Sequence, residues 1–357
     1  MEERAGSREV VTESPQVIVF EGSTDEDDAA EDLARRLNEI GIHIPLVISS
    51  QHGQRLSSRI KGLNEPEAPA VNANQQWAAE LGSRARRAGA DAVVAVGGGR
   101  CIDVGKLAAV RAGLTVVAVP TQLSHDGICS PVAVVPNEIG KPESVGAIPP
   151  RLVFASIPTL VGAPVDSVRA GLGDLIANPL ALRDWALAAE RGLDVVDQRA
   201  WDLSVESFQL IEPHLDGDPH DAAKDPVFLR GLADALVLSG MSMTYVGTSR
   251  PASGAEHEIS HAMDETYGGR ALHGAQVAFG CVVSVALYGE DTGAFRKRLA
   301  RIGLPQHPND LDLNLEDVVK LLLVAPDTRP GRFTILEDAD LDTTTARALV
   351  KKIWPDL

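Results

Sequence analysis

The residues best suited to metal chemistry lie late in the chain. His257-Glu258-Ile259-Ser260-His261 spells H-E-x-x-H, a spacing that sets two imidazoles on one helix face. In zinc peptidases the carboxylate between them deprotonates a bound water. His273 follows after a loop, and Asp174 lies upstream in AGLGDLIAN. Two sites can be written from these residues. In the peptidase reading His257 and His261 hold zinc and Glu258 is the base. The extended form of that motif needs Gly and His at the third and sixth positions after His261, where this chain has Asp264 and Tyr267, so that form is excluded. In the other reading Asp174 joins His257 and His273, giving one carboxylate and two imidazoles and leaving open positions for substrate on zinc or iron.

A second chemical signal precedes these. In DAVVAVGGGRCIDVGKLAAV an apolar strand runs into Gly97-Gly98-Gly99 and then into a helix. Glycines there let the backbone approach a ligand closely, and the helix start aims unpaired N–H groups at an anion such as a pyrophosphate. The G-x-G-x-x-G fingerprint is not met, since Ile102 holds its last position. The next strand ends in PTQLSHDGICSP. Ligands collect beyond the carboxyl ends of parallel strands, so Thr121, Ser124, His125, Asp126 and Ser130 are expected to face the glycine crevice.

These groups need elements to position them. From Gln16 to about Val135, short apolar runs (QVIVF, IPLVIS, APAVNA, DAVVAV, LTVVAVP) alternate with helical stretches, including ones near 25–40, 74–88 and 103–112. That alternation predicts a parallel sheet with right-handed crossovers. Beyond about Pro158 the strand signal fades and long helical patterns take over, among them PVFLRGLADALVLSGMSMTYVG and QVAFGCVVSVALYG. The expected architecture is an α/β Rossmann-like domain with a parallel sheet over residues 1–157, followed by an all-α helix-bundle domain over 158–357 that carries metal and substrate.

Composition narrows the partners. With 33 Lys+Arg against 50 Asp+Glu, the formal charge of -17 repels phosphate backbones and anionic lipid, which argues against nucleic acid. An anionic substrate would need a local basic cluster or a metal. Three scattered cysteines, Cys101, Cys129 and Cys281, suggest neither a disulfide framework nor a thiolate zinc site, which fits a reducing cytoplasm. The polar N-terminal stretch lacks the apolar core of a signal peptide, and no stretch approaches the uninterrupted apolar length of a membrane span.

Six ordered blocks tie the two halves together: GGGRCIDVGK, PTQLSHDGICSP, AGLGDLIAN with ALRDW, SRPASGAEHEISHAMD, LHGAQVAFG and TRPGRFTIL. In these the chain resembles the sn-glycerol-1-phosphate dehydrogenase branch of the iron-containing alcohol dehydrogenase, glycerol dehydrogenase and dehydroquinate synthase superfamily. The resemblance implies the dehydroquinate synthase-like fold. It makes Asp174, His257 and His273 the metal ligands, with zinc the usual ion and iron or nickel the alternatives. Gly97, Gly98, Gly99 and Asp103 fall around the dinucleotide pyrophosphate, and Thr121, Ser124 and Ser130 near the nicotinamide. Asp126 matches an aspartate that contacts substrate, and His261 a second histidine close to the metal without ligating it. Glu258 is then a bystander.

The implied reaction is metal-dependent reduction of dihydroxyacetone phosphate, or a related small hydroxy-carbonyl phosphate, by NADH or NADPH. His261 and His125 are candidates for the proton relay. Arg250, Arg329 and Arg332, all in family-specific blocks, are candidates for the substrate phosphate. Glu21, at the end of QVIVFE, would sit by the adenine ribose and favour NAD. A sugar-phosphate cyclase or lyase using bound NAD and zinc is the alternative on this scaffold. The enzyme is expected to be cytoplasmic and a homo-oligomer.

Overall fold

Runs such as LVIS, AVVAVG and LVFAS have no polar face to give to water, so they form strands covered on both sides. The computed structural model describes residues 16–20, 25–67, 72–137, 140–217 and 219–357. Its strands are β1 (Gln16–Phe20), β2 (Leu46–Ser49), β3 (Leu63–Pro66), β4 (Ala92–Gly97), β5 (Thr115–Pro120), β6 (Val132–Pro136), β7 (Pro142–Gly146) and β8 (Leu152–Ser156). Six of them make one sheet in the order β1-β8-β5-β4-β2-β3, and every pairing in it is parallel. The remaining two, β6 and β7, form an antiparallel hairpin with Val132 opposite Gly146.

Three details differ from expectation. The third strand is Leu63–Pro66 and not APAVNA: residues 68–71 lie outside the described residues, and 72–73 carry no strand. β3 pairs with β2 at the sheet edge, where alternating half-buried and exposed side chains and a proline are tolerated. The helix after the glycines begins at Gly99, earlier than the expected 103, because Gly98 serves as its N-cap. The hairpin and β8 add strand structure after LTVVAVP, with β8 inserted between β1 and β5.

One sheet face packs Val47, Val94, Val117 and Phe154 against Leu33 and Leu37 of the Glu26–Glu39 helix. The other face, with Ile48, Val93, Ala95, Val116 and Val153, shares a continuous core with Leu172, Leu232, Phe279 and Trp354 of the helical half. That shared core fixes the carboxyl ends of β4 and β5 against the helices. From Ile157 onward the described elements are all helical. One of them, the 21-residue Pro226–Val246 helix, is long and apolar enough to cross a membrane by length and composition, but Arg230 and Asp234 interrupt its apolar run. It packs along the Gln198–Ile211 helix and buries Phe228, Leu229, Leu232 and Leu236 in the core.

Candidate metal and dinucleotide site

Three helices bring the metal candidates together: Val165–Ile176 carries Asp174, Ala255–Tyr267 carries His257, and His273–Leu287 begins with His273. The first and third cross at two glycines beside the ligands. A Cβ on Gly274 would lie 1.8 Å from the Ala170 carbonyl oxygen, and one on Gly173 would lie 2.2 Å from that of Gly274. Side chains there would push the helices apart and separate Asp174 from His273. One donor atom from each of Asp174, His257 and His273 lies within 4.8 Å of the others. Asp174 Oδ1 stands 3.6 Å from His257 Nε2 and 3.7 Å from His273 Nε2.

A further layer of groups aims these donors. The Asp126 backbone N–H donates to Asp174 Oδ2 at 2.9 Å, leaving Oδ1 to the centre. Glu256, fully buried, faces His257 Nδ1 at 3.0 Å through Oε1, which also accepts the Gly254 N–H. A carboxylate behind one imidazole nitrogen holds the proton there and frees Nε2 for a cation. Ser260 Oγ lies 3.4 Å from His273 Nδ1 and receives the Gln276 amide. Burial drives the His273 imidazole down to about 3 despite the pull of Asp174, so the ring is neutral and its Nε2 lone pair available. Burial raises the Asp174 carboxyl, but hydrogen bonding from His257 and the fields of both histidines hold it below its ordinary value. The opposite holds at His257, where Asp174 and Glu256 outweigh burial and raise the imidazole to about 9. A centre that draws a proton this strongly is one that a divalent cation fits, and the N,N,O donor set suits zinc, iron or nickel.

Glu256 was missed in the sequence because the H-E-x-x-H frame points to Glu258. That residue is fully buried, accepts the Thr334 hydroxyl at 3.0 Å, and is pushed up to about 9 by burial and by Glu337. It is therefore protonated at neutral pH and not a base.

The glycine turn reaches the same place from the sheet side. Gly97 ends β4, and its carbonyl accepts the Thr121 N–H, joining the turn to the loop after β5. A Cβ on Gly99 would lie 2.2 Å from His125 Nε2, so that imidazole lies directly over the helix start. The other side of His125 faces His273, with ring centroids 6.1 Å apart and planes at 85°. One imidazole thus bridges the glycine turn and the metal candidates.

Between them opens a cavity of about 360 Å³. Its lining includes His125, Asp126, Ser130, His257, His261 and His273. Asp126 receives the Ser239 hydroxyl at 2.9 Å, and burial together with the Asp174 charge raises its carboxyl to about 7. His261 Nε2 accepts from Arg329 at 2.8 Å, so its own proton sits on Nδ1; burial and the Arg329 charge hold it well below its ordinary value. Asp103 also lines the cavity, but its oxygens take Lys106 and the Val134 N–H and so anchor the β6–β7 hairpin. Thr121 and Ser124 are buried in the loop after β5 and are not part of the cavity lining. Arg250 is turned away: its Nε pairs with Asp194 at 2.7 Å and its Nη1 donates to the Phe333 carbonyl. Glu21 lies outside the described residues.

This arrangement matches known proteins at two levels. The family described as iron-containing alcohol dehydrogenase matches residues 8–164. Among solved structures, a probable glycerol dehydrogenase from Sinorhizobium meliloti aligns with TM-score 0.78 at 20% identity, covering 95% of this chain and 96% of the other. A sulfoacetaldehyde reductase from Bifidobacterium kashiwanohense, solved with NAD+, aligns with TM-score 0.69 at 14% identity over 99% of this chain and 100% of that one. The fold is thus that of the iron-containing alcohol dehydrogenases. The glycerol-1-phosphate dehydrogenase [NAD(P)+] of Hyperthermus butylicus is 35% identical over 342 residues, 95% of this chain and 97% of that protein. Its namesake in Archaeoglobus fulgidus is 38% identical over 252 residues, 69% of this chain and 71% of that protein. The chain belongs to the glycerol-1-phosphate dehydrogenase family.

Proposed function

We propose that the chain reduces dihydroxyacetone phosphate, or a related small hydroxy-carbonyl phosphate, to sn-glycerol 1-phosphate or its counterpart, with NADH or NADPH as hydride donor. Residues 1–157 would bind the dinucleotide, and 158–357 the metal and substrate. The observation that carries this reading is the His125 ring, which lies over the Gly99 helix start on one side and against His273 on the other. It matters because hydride transfer needs the nicotinamide and the carbonyl within contact distance.

A divalent cation held by Asp174, His257 and His273, zinc or alternatively iron or nickel, would supply Lewis-acid polarisation of the substrate carbonyl. The chain's residues do the rest. Main-chain N–H groups at the Gly98–Gly99 turn receive the pyrophosphate with no Cβ in the way. Ser130, on the cavity wall, and Thr121 and Ser124, buried in the loop after β5, shape the nicotinamide side. Asp126 meets a substrate hydroxyl with its carboxyl, which Ser239 orients. Reduction adds a hydride to the carbonyl carbon and a proton to its oxygen. His125 and His261, whose ring centroids each lie 6.1 Å from that of His273, are the candidates to pass that proton. Three free, buried cysteines fit a cytoplasmic enzyme.

The test is oxidation of NADH and of NADPH with dihydroxyacetone phosphate, before chelation, after chelation, and after zinc is returned. Turnover that disappears with chelator and returns with zinc is expected. No turnover with either dinucleotide in the zinc-restored protein defeats the reading.

A further inference from the structure

Asp184, in the block ALRDW, does not line the metal cavity, yet it is 1% exposed and its carboxyl receives three donors. The Ala255 N–H donates to its Oδ2 at 2.7 Å, and the Tyr288 hydroxyl and the Ile335 N–H donate to its Oδ1 at 2.6 and 2.9 Å. A carboxyl buried this completely is tolerated because such partners replace water.

These contacts connect the helices that carry all three metal candidates. Asp184 stands on the Asn178–Glu190 helix, which follows the Asp174 helix with only Ala177 between them. Ala255 is the first residue of the His257 helix, whose N-cap, Gly254, has no side chain to offer. Asp184 therefore supplies from another helix the acceptor that a capping Ser or Asp would give, and its charge suits the positive end of the helix. A Cβ on Gly254 would lie 2.3 Å from Asp184 Oδ2, so the glycine makes room for this carboxyl. Tyr288 closes the far end of the His273 helix, a length of roughly 20 Å for its 15 residues, and the Arg183 guanidinium sits over its ring at 3.8 Å. A tie at that distance fixes the direction of the helix. Ile335 opens the Ile335–Ala339 helix, whose cap, Thr334, holds Glu258.

We infer that Asp184 is a positioning residue for the metal centre: it holds the start of the His257 helix in fixed relation to the Asp174 and His273 helices and so sets the spacing of the three donors. The role rests on the proposed centre of Asp174, His257 and His273. Glu256 acts beside it by accepting the Gly254 N–H, so two successive main-chain donors ahead of His257 are each held by a buried acidic side chain. Burial and the Glu256 charge push the Asp184 carboxyl up to about 7, so near neutral pH the uncharged form also fits these contacts.

The experiment titrates zinc, in competition with a chelator, into the metal-free full chain as wild type, Asp184→Ala, Asp184→Asn and Gly254→Ala, and records the visible spectrum of each with cobalt(II). Asp184→Ala should weaken zinc binding about tenfold to a hundredfold and shift the cobalt bands, as loss of support behind a ligand does. Gly254→Ala drives a methyl against the carboxyl while every hydrogen-bonding group is retained, and should weaken zinc about tenfold. Asp184→Asn keeps an acceptor for Ala255 and offers a donor to the Tyr288 oxygen, so its zinc affinity should stay within about threefold of wild type, with unshifted cobalt bands. Amide exchange in the metal-free proteins should quicken over residues 255–261 in Asp184→Ala and Gly254→Ala and stay unchanged over residues 99–112. Unchanged zinc affinity in both of those variants, or quickened exchange over both segments, overturns the role. If Asp184→Ala does not fold, Gly254→Ala beside Asp184→Asn decides by the same readouts. If wild type binds no zinc, the metal reading fails by itself, and exchange then decides for Asp184: quickening confined to residues 255–261 supports its hold on that helix, and unchanged exchange overturns it.

Discussion

The Gly99–Ala112 helix and the Ala255–Tyr267 helix meet the same cavity by opposite means. The first offers main chain and missing side chains: its N-cap is Gly98, and the space a Cβ would fill at Gly99 is held by His125. The second offers side chains, each backed by another residue, with Glu256 behind His257, Arg329 against His261, and Ser260 with Gln276 near His273. A dinucleotide is held mostly by backbone dipoles, which any short glycine turn at a helix start supplies. A metal needs particular atoms aimed within tenths of an ångström, so its ligands require supporting partners.

This contrast can be broken from either side. The largest effect is expected on the side-chain face: Asp174→Ala removes the carboxylate ligand, and kcat/KM should fall by about a thousandfold or more together with bound metal, read by elemental analysis. On the backbone face, Gly99→Val forces a side chain into the His125 ring, an overpacking of about 1–3 kcal/mol. The dinucleotide KM should rise about tenfold to a hundredfold while metal content stays at wild-type level; metal loss in that variant would erase the distinction between the two helices. Glu256→Gln should weaken metal binding about tenfold to a hundredfold in a competition titration, since only a supporting partner is altered.

The smallest effect is expected at Glu258, inside the H-E-x-x-H sequence. Glu258→Gln should leave kcat/KM within about threefold, because the carboxyl is already protonated and glutamine keeps its shape. Its effect on stability depends on pH. The folded-state value of about 9 lies above the ordinary 4.5, so the folded protein holds an extra proton between the two. Stability is then complete below about pH 4.5 and declines as pH rises towards 9. The glutamine variant lacks this decline, so its Tm should pull ahead of wild type with rising pH, as thermal scans from about pH 5 to 9 would show.

How much of this was visible in the chain follows from the same contrast. Strands buried on both faces, such as AVVAVG and TVVAVP, announce themselves by continuous apolar runs. The edge strand LNEP does not, because it is half exposed and its place depends on pairing with β2. Glycines at 97–99 could be read because their role is local. The glycines at 173 and 274 stand beside two ligands, yet their purpose appears only where the helices cross. Arg250, Arg329 and Arg332 look equivalent in SRPASG and TRPGRF, and only packing separates them: Arg250 turns to Asp194, Arg332 supports two serines, and Arg329 reaches the cavity. Glu256 lay one residue from a recognised histidine and was hidden by a motif whose own glutamate faces elsewhere.

The most direct measurement is zinc titration by calorimetry into chelator-treated protein, wild type beside His273→Ala. The structure predicts one tight site per chain in wild type and its loss in the variant, with thermal unfolding of both still cooperative. Undiminished zinc binding by His273→Ala would contradict the assignment of Asp174, His257 and His273 as the metal centre.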